Sequence, residues 1–327
     1  MKILVTGGSG FIGKVLVRNL IEQGHDLVLI VRPTSHVHDL QDEKINLVEA
    51  CLFDRTTLER LMSDCDCLIH LANVYSFWEA DASIYERINM NATRIVYESA
   101  LHAGVKKVIH VASAVIWGDA EPLPYTEETP FGNVVYSQYA VSKRKADNMA
   151  WRCHKEKGLP LVGVYPASVI GPGDVKSSGQ MACDIIKRRL PARGLENSRI
   201  TFVDVRDVAD AIAKIVTQNN VIGERFILGK ESIRLGDYMQ HISQVSGMDL
   251  PLISLPTWAV RIISGLLSSM SWLTKKPPLW GMSLDQTRTF SNGFQCDGSK
   301  AERQLGVSYR PVRESLTDLV HWIQEHR

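Results

Sequence analysis

The chain has 327 residues (36.6 kDa), of which 45% are hydrophobic and 22% charged; this excludes a disordered or collagen-like polymer and leaves room for about two units on an extended core. With 37 Lys and Arg against 36 Asp and Glu the net charge is +1, which offers no broad basic face to nucleic acid. The six cysteines are scattered and Cys65-x-Cys67 has no histidine cluster beside it, so neither zinc nor disulfides are expected, and the thiols suit a reducing, cytoplasmic setting.

Residues 2–6 read as a short apolar strand, and the apolar run ahead of the first glycines is too short for a signal peptide. Residues 11–23 have helical spacing, with Ile12, Val15, Leu16 and Leu20 on one face, and Gly24 stops that helix. Segments 26–32, 66–71 and 108–113 read as strands buried on both faces; amphipathic helices are expected at 84–103 and 137–157. Further strands are expected at 161–165, 200–203 and 225–228, with a helix after Asp207 and a closing helix from Val312 to about Glu325. Residues 258–274 are mostly apolar but carry Arg261 and four serines. At 17 residues the run is at the lower limit for a membrane span of roughly 20, and with these polar residues it is expected to pack in a substrate lobe, with a peripheral membrane contact as the alternative.

Strands alternating with helices imply a parallel sheet covered on both faces. The expected fold is α/β, a Rossmann-type doubly wound sheet with a smaller, mixed α/β C-terminal lobe. The nucleotide-binding domain is expected over 1–165, with returns at about 204–228, and the substrate-binding lobe over 166–203 and 229–327.

Gly7, Gly10 and Gly13 fall between the first strand and the first helix in Thr6-Gly7-Gly8-Ser9-Gly10-Phe11-Ile12-Gly13. Glycines let the backbone approach a pyrophosphate. The helix start at Phe11 and Ile12 supplies free N–H groups and the positive end of the dipole, and Gly13 allows close packing on the sheet. At the end of the second strand, Val31-Arg32-Pro33-Thr34-Ser35 carries no acid to hold a ribose 2′-hydroxyl. Arg32 offers a planar fork suited to a 2′-phosphate and Ser35 a hydroxyl, so NADP(H) is preferred and NAD(H) is possible. No metal site is expected.

Of nine tyrosines, only Tyr139 has a lysine four residues on, Lys143, and on a helix the two share a face. Ser113 ends a buried strand, at the sheet edge where ligands of open α/β folds bind. A phenol titrates near 10, and bringing it to neutrality takes about 4 kcal/mol, which an adjacent ammonium and a nicotinamide cation can supply. In this reading Tyr139 exchanges a proton with a substrate oxygen, Lys143 lowers the phenol pKa and holds the ribose, and Ser113 hydrogen-bonds the oxygen.

The chain resembles the extended short-chain dehydrogenase/reductases of the NAD-dependent epimerase/dehydratase superfamily. Within them it is similar to the dihydroflavonol-reductase-like and 3β-hydroxysteroid-dehydrogenase-like branch, and to bacterial proteins labelled hopanoid-associated sugar epimerase. The similarity runs through VTGGSGFIG (5–13), VRPTS (31–35), HLA (70–72), INMNAT (88–93), HVASAVIWG (110–118), YAVSK (139–143), YPASVIGPGD (165–174) and VDVRDVADA (203–211). The resemblance implies that Asn89 supports the active-site backbone, that Ala72 lines the cofactor cleft, that Pro166 and Ser168 lie near the carboxamide, and that helices 84–103 and 137–157 build a homodimer. Cys51 replaces a usual adenine-binding Asp, leaving Leu52 to pack on the ring. Tyr165 stands where sugar-nucleotide enzymes often have Arg, and Ala114-Val115 replaces the Asp-Glu pair of dehydratases, so dehydration is not expected.

The function expected is interconversion of a fairly apolar ketone or aldehyde with its alcohol. Trp258, Ile262, Leu266, Leu267 and Met270 suggest an apolar lobe, and Trp117 and the 75–78 loop are candidates to line the pocket. The alternative is a nucleotide-sugar epimerase with tightly bound NAD, which would need Arg193 and Arg199 for a second pyrophosphate. A sensor of the NADPH/NADP ratio would have no need of Tyr139 and Lys143 together.

Overall fold

The computed structural model describes residues 1–326. Its elements in chain order are β1 (Lys2–Thr6), α1 (Phe11–Glu22), β2 (Asp26–Val31), β3 (Ile45–Glu49), α2 (Arg55–Met62), β4 (Cys67–His70), a π-helical stretch Tyr85–Ala92 continuing into α3 (Thr93–His102), β5 (Lys107–Val111), a 3₁₀ turn Ala114–Trp117 and α4 (Gln138–Lys157). There follow β6 (Leu161–Pro166), β7 (Ser168–Ile170), α5 (Ser178–Ile186), β8 (Arg193–Gly194), β9 (Arg199–Asp204), α6 (Val205–Thr217), β10 (Arg225–Leu228), β11 (Glu231–Arg234), α7 (Leu235–Ser246), β12 (Ser254–Leu255), α8 (Thr257–Thr274), α9 (Leu284–Asn292), α10 (Ser299–Leu305) and α11 (Val312–His326).

Seven parallel strands form the main sheet in the order β10-β6-β5-β4-β1-β2-β3. Its central strands are continuous apolar runs because helices cover both faces. One side is filled by Ile3, Leu16, Leu29, Ile109 and Val162 with α1 and α6; the other by Leu4, Leu58, Val96, Tyr97 and Val108 with α2, α3 and α4. The chain order reverses at β1, which pairs with β2 on one side and β4 on the other. That reversal opens a crevice at the carboxyl edge of the sheet, where every β-to-helix loop emerges. Three further strands, β11-β9-β7, make a second sheet beside this edge, and β12 pairs with β8.

Local chemistry sets the helix ends that matter for the site. The Ser137 hydroxyl accepts from the Ala140 N–H at the start of α4, and Gly158, at φ +73°, ends that helix in the left-handed region. The amphipathic 84–103 segment is helical as expected, but its first half is wound as the wider π form and carries buried Asn89. Strand β3 was not expected from its pattern: as the sheet edge it is only half-buried, and its residues lack a clear period.

Candidate active site

The glycine loop leaves β1 and turns into α1 with no room for a side chain at Gly7 or Gly13. Gly7 has φ +77°, and a Cβ there would meet the Ala72 nitrogen at 2.7 Å; one on Gly13 would sit 2.3 Å from the Gly7 carbonyl. Helix α1 starts at Gly10 with no side-chain cap and no acid in its first turn, so its N-terminal N–H groups have no side-chain competitor for an anion. A close-approach backbone followed by an open helix N-terminus suits a dinucleotide pyrophosphate, and Gly7, Gly10, Phe11, Ile12 and Gly13 would hold it.

The neighbouring loops converge on this edge. Ala72 follows β4 and donates its N–H to the Thr6 hydroxyl at 3.3 Å, while Thr6 also bonds His70 at 2.7 Å. His70 in turn bonds Thr93, and burial holds its imidazole down at about 3, so it is a neutral strut between β1, β4 and α3. Arg32 is exposed just beyond β2 and makes no ion pair among the described residues. A short turn, in which the Arg32 N–H donates to the Ser35 hydroxyl at 3.0 Å, keeps the two side by side. Leu52 is half-buried beyond β3, and Cys51 beside it is exposed. Pro166 ends β6, and Ser168 opens β7 two residues later at the same edge.

Ser113, Tyr139 and Lys143 do come together. Ser113 lies just past the end of β5 and hydrogen-bonds the phenol of Tyr139 in the first turn of α4. Lys143, one turn on, is buried and donates to the Val111 carbonyl at 2.8 Å. Burial pushes its ammonium down to about 8, opposed by the carboxylate of Asp147 one turn further along α4. The expectation that Lys143 draws the phenol toward neutrality is not met by the protein alone. Burial and the neighbouring Tyr75 hold the Tyr139 phenol well above its ordinary range, and only the Ser113 hydrogen bond pulls it down.

Asn89 touches neither the phenol nor the ammonium. Its side-chain carbonyl accepts from the Val74 N–H at 2.7 Å, and its amide donates to the Val74 carbonyl and to the Ser142 hydroxyl at 3.1 and 2.9 Å. Ser142 donates to the Tyr139 carbonyl, so Asn89 fastens the loop after β4 to the first turn of α4.

That loop brings Tyr75 and Phe77 edge-on to the Tyr139 ring, with centroids 5.2 and 6.2 Å away, and Phe77 meets Phe290 of α9 at 6.1 Å. An apolar, aromatic wall thus stands beside the phenol. Trp117 is not part of it: fully buried, it stacks on Tyr125 and donates its indole N–H to the Thr129 carbonyl, as a core residue. Trp258, Ile262, Leu266 and Met270 do not build the lobe interior either; they point to solvent. Their stripe is real, but the face α8 turns inward carries Val260, Ser264 and Ser271. Tyr165 is also buried, bonded to Asp147 and Trp151, because its strand lies within the sheet. Arg193 pairs with Glu196 at 3.5 Å, whereas Arg199 is exposed at the start of β9 and its neighbour Asp237 is paired with Arg234.

Sequence reasoning missed Asp147, although its spacing four residues beyond Lys143 was a usable signal. Its surroundings were not legible: the carboxylate is fully buried, accepts from Tyr165 at 2.7 Å and Trp151 at 3.2 Å, and faces Arg225 at 3.8 Å and His110 at 3.6 Å.

Residues 3–229 match the NAD dependent epimerase/dehydratase family. A Synechocystis sp. protein provisionally named a dihydroflavonol 4-reductase is 30% identical, the alignment covering 98% of this chain and 94% of that protein. Sterol demethylase protein B of Methylococcus capsulatus is 26% identical, with 99% of each chain covered. The crystal structure of gox2253 superposes with a TM-score of 0.85 at 31% identity, covering 99% of this chain and 98% of that one.

Proposed function

This chain belongs to the NAD dependent epimerase/dehydratase family, and from that premise we propose that it is an NADP(H)-dependent oxidoreductase interconverting a fairly apolar ketone or aldehyde with its alcohol. The observation that carries the reading is the Ser113–Tyr139 hydrogen bond, with buried Lys143 one turn away, at the sheet edge that also bears the glycine cradle. A bound nicotinamide would supply or accept the hydride. Tyr139, held protonated by its burial, gives a proton to the carbonyl oxygen in reduction and takes one back from the alcohol in oxidation. Ser113 donates a hydrogen bond to the same oxygen. Lys143 holds the cofactor ribose hydroxyls, and Asn89 keeps the Tyr75–Phe77 loop and α4 in register.

Arg32 and Ser35 support a 2′-phosphate, because an exposed guanidinium free of ion pairs needs no rearrangement to accept one. Leu52, Ala72, Pro166 and Ser168 complete the cofactor cleft in this reading. The aromatic wall of Tyr75, Phe77 and Phe290 favours an apolar substrate, in keeping with the names of the reductase and sterol-related relatives. A homodimer built through the outer faces of 84–103 and 137–157 is part of the same proposal. The pairing of Arg193 with Glu196 weighs against a nucleotide sugar.

The test is turnover of ketones, aldehydes and UDP-sugars with NADPH and with NADH. A ketone or aldehyde with NADPH should be the best pair. Tyr139→Phe should lower kcat by about 10²–10⁴-fold while NADPH still binds, and Arg32→Ala should erase the preference over NADH. Faster turnover with NADH in the native enzyme, or full activity in Tyr139→Phe, would sink the assignment.

A further inference from the structure

Helix α8 is built inside out. Trp258, Ile262, Leu266 and Met270 recur every fourth residue and are 67, 56, 67 and 46% exposed, while Ser264 and Ser271 on the opposite side are buried. The outward stripe continues through Trp272 and Leu273 to Leu279 and Trp280, and Leu252 and Ile253 extend it ahead of the helix. So many exposed large apolar groups in one stretch mark a surface made to be covered.

The charge around the stripe says by what. Between Asp249 and Asp285 the chain carries no acid, and its only charged side chains are Arg261, Lys275 and Lys276, all exposed. Lys275 lies over the Trp272 ring at 4.8 Å, with exposed Asp81 the acid that feels its charge. A cleft that Arg189 shares with Gln180, buried Asp184, Pro277, Pro278 and Trp280 sets the exposed basic run Lys187, Arg188 and Arg189 against the same edge. A second copy of the chain is a poor cover. Two such helices packed antiparallel about a two-fold axis at their midpoint would set Arg261 of each opposite Met270 of the other, so the pairing offers no acid of the stretch to Arg261, Lys275 or Lys276. Anionic phospholipid headgroups supply the missing charge, and tryptophans with basic side chains suit the boundary between headgroup and hydrocarbon. At 18 residues α8 is about 27 Å long, and no helix among the described residues is long and apolar enough to cross a bilayer, so α8 would lie on the membrane plane.

We propose that the outward face of α8, with residues 252–253 and 275–280, docks this enzyme on an anionic membrane surface. Helix α9 packs against α8 and carries Phe290, which closes on Phe77 beside Tyr139, so docking would bring the aromatic wall of the site near the bilayer. The docking itself does not rest on the redox reading, since it is measured without turnover.

The experiment is co-flotation of the full chain with vesicles of phosphatidylcholine alone, and with vesicles of about three parts phosphatidylglycerol to seven of phosphatidylcholine. Partitioning should be at least about tenfold greater on the anionic vesicles, and should fall at about 0.5 M salt. Trp258→Ser with Leu266→Ser, and separately Lys275→Glu with Lys276→Glu, should each reduce it at least about tenfold while circular dichroism and NADPH binding stay as in the parent. The proposal is overturned if the parent stays off anionic vesicles at low salt, if both variants float as well as the parent, or if light scattering shows a dimer that Trp258→Ser with Leu266→Ser splits and no vesicle binding.

Discussion

Helices α4 and α8 are of similar length, 20 and 18 residues, and depart from the ordinary amphipathic plan in opposite directions. Helix α4 turns Tyr139, Ser142, Lys143 and Asp147 into the protein; α8 turns tryptophan, leucine and isoleucine out of it. The interior of α4 tolerates charge because its buried groups have specific partners: Lys143 has the Val111 carbonyl, Ser142 has Asn89, and one Asp147 oxygen has Tyr165 and Trp151 while the other, without a hydrogen bond, faces Arg225 at 3.8 Å. The outward face of α8 leaves Trp258, Ile262, Leu266 and Met270 exposed. One helix bears a folding cost to place reactive groups beside a cleft, and the other bears a solvation cost that only an external surface can relieve.

The sharpest way to test the first half of that contrast is to strip the buried acid. Asp147→Ala leaves the Tyr165 hydroxyl and Trp151 indole without their carboxylate and Lys143 and Arg225 without its charge, so urea unfolding should show a loss of about 3–5 kcal/mol. A loss under about 1 kcal/mol would show the cluster to be ornamental.

The second test follows the proton on Lys143. Its ammonium is held to about 8 in the fold against 10.5 ordinarily. Below pH 8 both folded and unfolded chains carry the proton, and the fold bears the full penalty of burying it, about 3 kcal/mol. Between pH 8 and about 10.5 the unfolded chain binds more protons than the native one, so stability rises with pH across that window. Lys143→Met should lack the rise. Parallel stability-versus-pH curves for the two proteins would refute the assignment.

The smallest effect is expected on α8. Replacing exposed Trp258 and Leu266 by serine removes no interior contact, so thermal unfolding away from membranes should change by less than about 0.5 kcal/mol. A large destabilisation would mean that the stripe is covered within the protein after all, and the contrast between the helices would dissolve.

Much of the candidate site's local geometry was readable in the sequence. The glycine triplet, the Arg32–Ser35 turn and the Tyr139–Lys143 pair depend on short spacings, which local backbone geometry converts directly into neighbouring positions, and Ser113, 26 residues before Tyr139, was legible from its place at the end of a buried strand. Asn89 was legible as a supporting residue through the family resemblance alone. Its two partners, Val74 and Ser142, come from separate stretches of chain, and no spacing relates them.

What the amino-acid order determined by itself is the alternation of buried strands with helices, the glycine turn at the first of them, and the periodic stripe along 258–274. These are consequences of side-chain type repeating at the period of a strand or a helix. Tertiary structure decided where each face looks: inward for Trp117 and Tyr165, outward for the α8 stripe, and, for Asp147, into a pocket made by β5, β6 and β10. Periodicity records that a helix has two unlike faces. Whether the apolar one meets a core, a ligand or a lipid depends on what the rest of the chain has already covered, and that is a property of contacts between residues far apart in sequence.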